Sequence, residues 1–257
     1  MITENITEQL DRAAEFISQS ESAIAFTGAG ISTDSGIPDF RSEHYGLWEE
    51  VDPLVVASIY GFRHDPQAFY DWVKPLVQIT LCAEPNPAHY ALAELEAQGL
   101  LKATITQNID VLHTRAGTHT IYELHGHMRE ATCISCFKVW DGLPILKRFL
   151  ADGRVPRCAD CGGIIKPNVI LFGEQLPYAA LKKAQDAARK TDLLIVVGSS
   201  LKVAPASDIP MVAKYNGAKL IIVNLEPTPV DSMADIVIHE RAAEILPEFV
   251  RRLEITG

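Results

Sequence analysis

Two pairs of cysteines are the residues whose spacing in this chain indicates chemistry most specifically. Cys133 and Cys136 form one CxxC motif, and Cys158 and Cys161 form a second. Each motif can present two thiolates to one metal ion, and the segment between the motifs is long enough to fold back and close a tetrahedral site. Four cysteine ligands leave no open coordination position for water, so we expect one structural zinc ion per chain.

A glycine turn after an apolar run is the second chemical signal. Gly28 and Gly30 follow the predicted strand Ala23 to Phe26, and they would let the backbone approach a pyrophosphate at the start of a helix. The GxGxxG fingerprint is incomplete, because Thr33 stands at its third glycine and no strand-end carboxylate follows about 20 residues later. Taken alone, the turn is equally compatible with a plain connection between strand and helix.

Polar clusters follow three further apolar runs. They are Gln107-Asn108-Ile109-Asp110, Gly198-Ser199-Ser200 and Asn224-Leu225-Glu226. Ligands of open parallel sheets bind outside the carboxyl ends of the strands, so these clusters and His125 can meet in one cleft. There they could recognise an amide and abstract a proton. Each has a structural alternative. Polar residues after a strand, Asp110 included, are often only turn formers or helix caps, and a lone histidine is more often a structural residue than a base.

The elements that must position these residues alternate between strand and helix. Continuous, often β-branched apolar runs typical of strands covered on both faces occur at Ala23-Phe26, Ala103-Thr106, Val169-Phe172, Leu193-Val197, Leu220-Val223 and Ile236-Ile238. Helical periodicity occurs near the N-terminus and in Pro87-Gln98 and Pro177-Lys190. The alternation predicts an α/β fold with a Rossmann-like doubly wound parallel sheet.

Two stretches interrupt this alternation and suggest the domain organisation. Residues 38–85 are rich in proline, aspartate and aromatic residues, and residues 128–166 contain the paired cysteines. We expect a discontinuous NAD-binding domain of residues 1–37, 86–127 and 167–257. A cofactor loop and helical insertion would occupy residues 38–85, and a small zinc-binding module residues 128–166.

Composition excludes several classes of function. The chain has 257 residues, 47% of them hydrophobic, and a net charge of −10, so no global basic field is available to hold nucleic acid directly. We find neither a signal peptide nor an uninterrupted apolar run of about 18 residues, and expect no membrane partner and a cytoplasmic location. Cys82 is expected to be a buried apolar filler. The oligomeric state is not determined, and a monomer is compatible with the sequence.

Taken together, the motifs resemble the sirtuin family of NAD-dependent protein deacylases, in its compact prokaryotic form. The resemblance extends over about residues 21–240 and preserves the order of the family's motifs. It rests on Gly28-Ala29-Gly30-Ile31-Ser32, Gly36-Ile37-Pro38-Asp39-Phe40-Arg41, Thr106-Gln107-Asn108-Ile109-Asp110, His125-Gly126, both CxxC pairs, Phe172-Gly173-Glu174, Gly198-Ser199-Ser200 and Asn224-Leu225-Glu226.

The resemblance implies roles for individual residues. The nicotinamide pocket would be lined by Ala29, Ile37, Phe40, Asn108, Ile109 and Asp110. The phosphates and the nearer ribose would be held by Gly28, Ser32, Arg41 and Gln107. The adenosine end would be held by Gly198, Ser199, Asn224 and Glu226. The backbones of Gly173-Glu174 and Val203-Ala204 would pair with an extended acetyl-lysine peptide, a mode with weak sequence preference.

The implied reaction is removal of an acetyl group from lysine, with release of nicotinamide and O-acetyl-ADP-ribose. His125 would be the base that activates the ribose hydroxyls, and Asn108 would act in the earlier cleavage of nicotinamide. Relatives that prefer succinyl-lysine carry a Tyr-x-x-Arg pair, whereas this chain has Tyr70 followed by Val73. Tyr70 is therefore expected to contact the substrate in an acyl pocket that lacks the cation.

Two alternatives use the same motifs. The first is NAD-dependent transfer of ADP-ribose to a protein. The second is a non-enzymatic zinc-ribbon module that binds NAD as a sensed ligand. The acidic net charge disfavours nucleic acid as the target of such a module, and the presence of Asn108, Asp110 and His125 disfavours a pure sensor.

Overall fold

The computed structural model of the protein describes residues 4–39 and 53–256. The strands of this part are β1 Ala23–Thr27, β2 Leu101–Thr106, β3 Ile121–Glu123, β4 Gly126–Cys133, β5 Val139–Asp141, β6 Ile165–Val169, β7 Leu193–Val197, β8 Lys219–Val223 and β9 Ile236–Ile238. The α-helices are α1 Glu4–Gln19, α2 Pro53–Val56, α3 Ile59–His64, α4 Pro66–Cys82, α5 Pro87–Ala97, α6 Leu112–Ala116, α7 Gly142–Asp152, α8 Tyr178–Lys190, α9 Ile209–Tyr215 and α10 Ala242–Thr256.

Six strands form a parallel sheet in the order β3-β2-β1-β7-β8-β9. Alternate residues of β1 and β7 enter two different cores, and every residue of these strands is buried. Helices α1, α5 and α10 cover one face, and α8 and α9 cover the other. Burial on both faces explains why these strands are continuous apolar runs. The predicted Rossmann-like doubly wound sheet is confirmed.

The connections reverse direction between β1 and β7. From β1 the chain proceeds outward through β2 and β3 on one side, and the later strands β7, β8 and β9 fill the other side. Such a reversal leaves a crevice outside the carboxyl ends of the two central strands, which is where ligands of these folds bind. The polar residues that follow β1, β2, β7 and β8 all lie along this edge.

A second, smaller sheet carries the cysteine pairs. Its strands are antiparallel in the order β5-β4-β6, and α7 follows β5. Helices α3 and α4 pack against this unit through an aromatic cluster, in which the rings of Tyr70 and Phe149 lie 4.8 Å apart. The cluster joins the predicted helical insertion to the zinc-binding module.

The glycine turn leads into a helix, as expected, and this helix is of the 3-10 type, Ala29–Ser35. Two expectations about local structure were wrong. Val169 to Phe172 is not a strand of the parallel sheet, because the strand ends at Val169 and belongs to the small sheet. Cys82 is exposed, because it is the last residue of α4 and lies beyond the buried stripe of that helix.

No helix of the described residues combines the length and the apolar composition that a membrane crossing needs.

Candidate active site

Two loops meet at the centre of the sheet edge through glycine backbones. The N–H of Gly30 donates to the carbonyl of Gly198 at 2.8 Å, and the N–H of Gly28 donates to Val197 at 3.0 Å. Gly198 has a φ of +59°, and a Cβ there would lie 2.2 Å from the nitrogen of Ile31. A side chain at this position would therefore separate the loops. The edge is lined by backbone, as close approach of a dinucleotide pyrophosphate requires.

A buried polar cluster lies beside this backbone floor. The Asn108 side-chain amide donates to the carbonyl of Gly28 and to the Ser32 hydroxyl, each at 3.1 Å. The Ser32 hydroxyl in turn donates to Asp110 Oδ2 at 2.7 Å, and the N–H of Leu112 donates to Asp110 Oδ1 at 2.9 Å. The three side chains are thus locked in one arrangement, and all of them are buried.

Burial dominates the electrostatics of this cluster. It raises the pKa of Asp110, an effect that the hydrogen bonds from Leu112 and Ser32 oppose. Behind the cluster, burial lowers the pKa of His89 to about 4 and that of His113 to about 3. Both imidazoles are therefore neutral near pH 7. In this setting Asp110 can accept a hydrogen bond from an amide N–H of a ligand.

His125 is oriented by the polar loop after β2. Its Nδ1 lies 3.0 Å from the carbonyl oxygen of Gln107. Because a carbonyl oxygen only accepts hydrogen bonds, Nδ1 carries the proton in the neutral ring, and the basic lone pair lies on Nε2. The Gln107 side chain donates to the Ser199 hydroxyl at 2.8 Å, which ties this loop to the loop after β7. The arrangement provides an oriented proton acceptor at the cleft.

The far end of the edge is built after β8. The N–H of Asn224 donates to the carbonyl of Ile238 at 3.1 Å, and its side chain donates to the carbonyl of Glu226 at 2.6 Å. Asn224 is buried, whereas Glu226 is exposed. The loop is thus closed by Asn224 and leaves the Glu226 carboxylate at the surface.

The segment with Gly173 and Glu174 connects β6 of the small sheet to α8. The N–H of Ile170 donates to the carbonyl of His125 at 2.9 Å, so the start of the segment is bonded to the residue expected to be the base. Gly173 and Ala204 are exposed, and Glu174 and Val203 are half-buried. Both stretches that were predicted to receive a peptide therefore include an exposed residue.

Some predicted site residues are not gathered at this edge. Tyr70 has no exposed surface, and its hydroxyl donates to the carbonyl of Ile165 at 2.7 Å. The side chain is fully enclosed in this conformation, and its contact with the substrate stays a prediction. Ile37 and Ile109 pack in or against the same apolar core. Phe40 and Arg41 lie outside the described residues.

The four paired cysteines converge as predicted. Their sulfur atoms all lie within 4.8 Å of one another, with Cys133 and Cys161 at 3.5 Å and Cys136 and Cys158 at 3.7 Å. A tetrahedron of sulfurs at the usual Zn–S distance has edges of ~3.8 Å. The backbone N–H of Cys136 lowers the pKa of the Cys133 thiol to about 6, which favours the thiolate. The four cysteines are positioned to bind a zinc ion.

Sequence reasoning missed the support behind the polar cluster. Asn86 donates from its side chain to the carbonyl of Ile31 at 2.7 Å, and its own N–H donates to His89 Nδ1 at 3.3 Å. The second ring nitrogen of His89 faces the Ser32 hydroxyl at 3.4 Å. The sequence contained one sign of this support, a helix cap at the start of α5. It consists of Asn86 before Pro87, with His89 as the third residue of the helix.

Comparison with known sequences gives a consistent result. The sequence profile of the Sir2 family matches residues 28–205. The chain is 48% identical over 248 residues to the NAD-dependent protein deacylase 2 of Archaeoglobus fulgidus, covering 96% of this chain and 97% of that protein. It is 48% identical over 249 residues to the NAD-dependent protein deacetylase of Sulfolobus acidocaldarius, covering 97% of each.

Solved structures of Sir2 proteins are also similar to this chain. A structure from work on the structural basis for the mechanism and regulation of Sir2 enzymes matches with a TM-score of 0.91 at 47% identity, covering 97% of this chain and 99% of that one. A Sir2 variant in complex with a deacetylated p53 peptide and 3'-O-acetyl-ADP-ribose matches with a TM-score of 0.89 at 39% identity, covering 96% and 98%.

Proposed function

The chain belongs to the Sir2 family, and we propose that it is an NAD-dependent protein lysine deacetylase that releases nicotinamide and O-acetyl-ADP-ribose. The observation that carries this function is the arrangement of four side chains at the sheet edge. The interlocked side chains of Ser32, Asn108 and Asp110 lie at the sheet edge where His125 is oriented as a base. The deacetylated peptide and acetylated ADP-ribose bound by a similar Sir2 protein support the same chemistry.

The backbone floor and the polar cluster would hold NAD. In this proposal the floor formed by Gly28, Gly30 and Gly198 accommodates the phosphates, because the three glycines have no side chains that would keep a ligand from their backbone. Further contacts at the nicotinamide side are assigned to Ala29, Ile37, Phe40, Arg41, Gln107 and Ile109. The loops after β7 and β8 hold the adenosine end through Ser199, Asn224 and Glu226. Asp110 accepts from the nicotinamide carboxamide, a role that its enclosed carboxylate suits.

Asn108 and His125 have separate tasks in the proposed reaction. Asn108 is fixed by Gly28 and Ser32, so it holds the ribose region in one orientation while the bond to nicotinamide breaks. His125 takes a proton from a ribose hydroxyl at Nε2, since Nδ1 already donates to Gln107. Exclusion of water from this cleft would favour transfer of the acetyl group to ADP-ribose over hydrolysis of NAD.

The protein partner would be an extended peptide that carries acetyl-lysine. We place it between Gly173-Glu174 and Val203-Ala204, whose backbone would hydrogen-bond to it as to an added strand. The zinc ion would hold the small module together without taking part in the reaction. The domain limits 1–37, 86–127 and 167–257 for the NAD-binding domain remain part of this proposal, with 38–85 as loop and insertion and 128–166 as zinc module. We also assign the enzyme to the cytoplasm, where thiolate zinc ligands stay reduced.

The experiment that tests this function separates the two classes of acceptor. The protein is incubated with an acetyl-lysine peptide and NAD that carries a label in its adenylate half. We expect the label to appear in O-acetyl-ADP-ribose, and we expect the peptide to lose its acetyl group. Label attached to protein, with the acetyl group retained, would instead establish ADP-ribosyl transfer.

A further inference from the structure

The proposed peptide-binding segment, residues 170–174, is held at several points by neighbouring elements. Ile170 donates to His125, as described above. Phe172 donates from its N–H to the carbonyl of Ala57 and accepts from the N–H of Ile59, both at 2.9 Å. The helical insertion therefore fixes the middle of the segment, and the strand that begins after His125 fixes its start. Its end, at Glu174, is held by a different kind of contact.

That contact is an ion pair with Lys166 of β6. Lys166 Nζ lies 3.0 Å from Glu174 Oε2 and donates to the carbonyl of Val169 at 2.7 Å. Glu174 Oε2 also accepts from the N–H of Leu171 at 2.8 Å. The turn from Leu171 to Glu174 is also closed by the backbone N–H of Glu174, which donates to the carbonyl of Leu171 at 3.0 Å. The carboxylate oxygen adds a second closing contact and joins the turn to the small sheet.

The pair differs from the surface ion pairs of the molecule. The exposed fractions of the Lys166 and Glu174 side chains are 12% and 22%, against 57% and 43% for Lys182 and Asp186 on α8. An enclosed ion pair is weak evidence for stability, because desolvation offsets most of the attraction. An enclosed ion pair can instead favour one backbone conformation over others. The conformation that the pair of Lys166 and Glu174 would favour is that of the backbone at Gly173 and Glu174.

We propose that Lys166 and the side chain of Glu174 are positioning residues for the substrate peptide. The ion pair holds the closed turn against the small sheet, so that the backbone of residues 173 and 174 keeps one orientation toward an incoming strand. Neither side chain needs to touch the acetyl group or NAD. The inference rests on the proposed function, and it adds that peptide affinity depends on an ion pair between the small sheet and the peptide-binding segment.

The test compares Lys166→Met with wild type in deacetylation of one acetyl-lysine peptide. Losing one partner of an enclosed pair is strongly unfavourable for the segment that carries the other. We expect the peptide KM to rise roughly tenfold, with the NAD KM and kcat at saturating peptide within about twofold of wild type, as for loss of binding unrelated to the transition state. Lys182→Met, which removes an exposed pair, is the matched control and should change none of these values.

Two further variants separate positioning from stabilisation. Glu174→Gln keeps the side-chain shape and removes the charge, so it tests the pair even if Lys166→Met fails to fold. Lys166→Met/Glu174→Met removes both charges, a change that often restores stability. We expect its unfolding midpoint to return toward wild type while its peptide KM stays raised, because Leu171 has lost its acceptor.

Three results would overturn the inference. They are a wild-type peptide KM in folded Lys166→Met or in Glu174→Gln, equal changes in the NAD KM and the peptide KM, and recovery of the peptide KM together with stability in the double variant. Absence of deacetylation by the wild-type protein would instead overturn the proposed function, so the two failures are distinguishable.

Discussion

At the residue scale, Ser32 is the junction of the nicotinamide side of the cleft. Its hydroxyl accepts from Asn108, donates to Asp110 and faces His89. Asn108 and Asp110 were predicted from the sequence because they follow a strand of the sheet, whereas Ser32 was predicted only from the family resemblance. His89 escaped notice because it lies on α5, where a histidine signals only a cap, and its proximity to Ser32 depends on tertiary packing.

Separate replacement of the two catalytic candidates should block different steps. His125→Ala should lower deacetylation by roughly 10²–10⁴-fold, the usual loss on removal of a general base. Nicotinamide release before that step should persist. His127→Ala, two residues away, is the control and should retain activity. The measurements are steady-state product formation and exchange of labelled nicotinamide into NAD, and unchanged turnover in His125→Ala would contradict the assignment.

Asn108→Ala should act earlier. The change removes the donor to Gly28 and Ser32, so the group being cleaved from nicotinamide is no longer held in one orientation. We expect nicotinamide exchange and deacetylation to fall together, on the order of 10²-fold, as for loss of one oriented hydrogen-bond donor. Retained exchange in this variant, with deacetylation alone lost, would disprove this order of events.

The family resemblance predicts that acyl selectivity depends on the residue at position 73. Val73 is buried in the apolar core beside Tyr70, where the succinyl-preferring pattern has an arginine. A succinyl carboxylate entering these surroundings without a partner would cost roughly several kcal/mol. We expect a kcat/KM for acetyl-lysine peptide at least tenfold above that for the matched succinyl peptide. Comparable values would show that the succinyl group meets a cation elsewhere.

The two buried histidines predict how stability depends on pH. The folded pKa values of His89 and His113, about 4 and about 3, lie below their ordinary value of 6.5. Below pH 6.5 each of these histidines therefore binds more protons in the unfolded chain than in the folded protein. The contribution of the two neutral histidines to the free energy of unfolding is fully present above pH 6.5 and is lost as the pH falls from 6.5 toward their folded pKa values. Between pH 7 and pH 5 the free energy of unfolding should fall by up to about 2 kcal/mol per histidine.

Urea unfolding at both pH values checks this dependence. The raised pKa of Asp110 acts in the opposite direction and reduces the slope. His113→Gln should lose about half of the histidine contribution, whatever its stability at pH 7. A wild-type stability that is constant or rises toward pH 5 would contradict the neutral, buried state of these rings.

At the element scale, the sequence pattern predicted the strands that are covered on both faces and failed for strands that are not. Strand β6 has alternating burial and contains Lys166, Pro167 and Asn168, so its sequence has no continuous apolar run. It lies at the edge of the small sheet, where proline is tolerated. Strand β3 has only three residues and no buried side chain, so no apolar run marked it. The burial of Tyr70 follows from packing between α4 and α7, which local patterns do not encode.

Zinc removal should act on the small sheet as a unit. Cys133 ends β4 and pairs with Ile165 of β6, so the proposed metal site and the sheet share residues. Cys158→Ser should lose zinc, unfold the small sheet and abolish activity indirectly, since binding of structural zinc is coupled to folding. Cys82→Ser, which changes an exposed cysteine away from the cluster, should keep one zinc per chain. Metal analysis that finds active protein without zinc would refute the closed site.

At the scale of the whole molecule, the cleft lies where the parallel sheet, the small sheet and the helical insertion approach one another. The parallel sheet brings the loops that would hold NAD to one edge, and the segment from His125 to Glu174 connects that edge to the small sheet. The order of motifs in the sequence predicted this convergence, because each follows a strand. The tie between Lys166 and Glu174 could not be predicted, since it depends on the turn that joins two sheets.

The stoichiometry of the products shows whether the acetyl group passes from lysine to ADP-ribose. Wild-type protein is mixed with acetyl-lysine peptide and NAD. Deacetylated peptide, nicotinamide and O-acetyl-ADP-ribose are then quantified over the same time course. Transfer of the acetyl group to ADP-ribose predicts equal amounts of all three, with none formed when either substrate is omitted. Nicotinamide produced in excess with unmodified ADP-ribose, or a peptide deacetylated without NAD, would contradict the account.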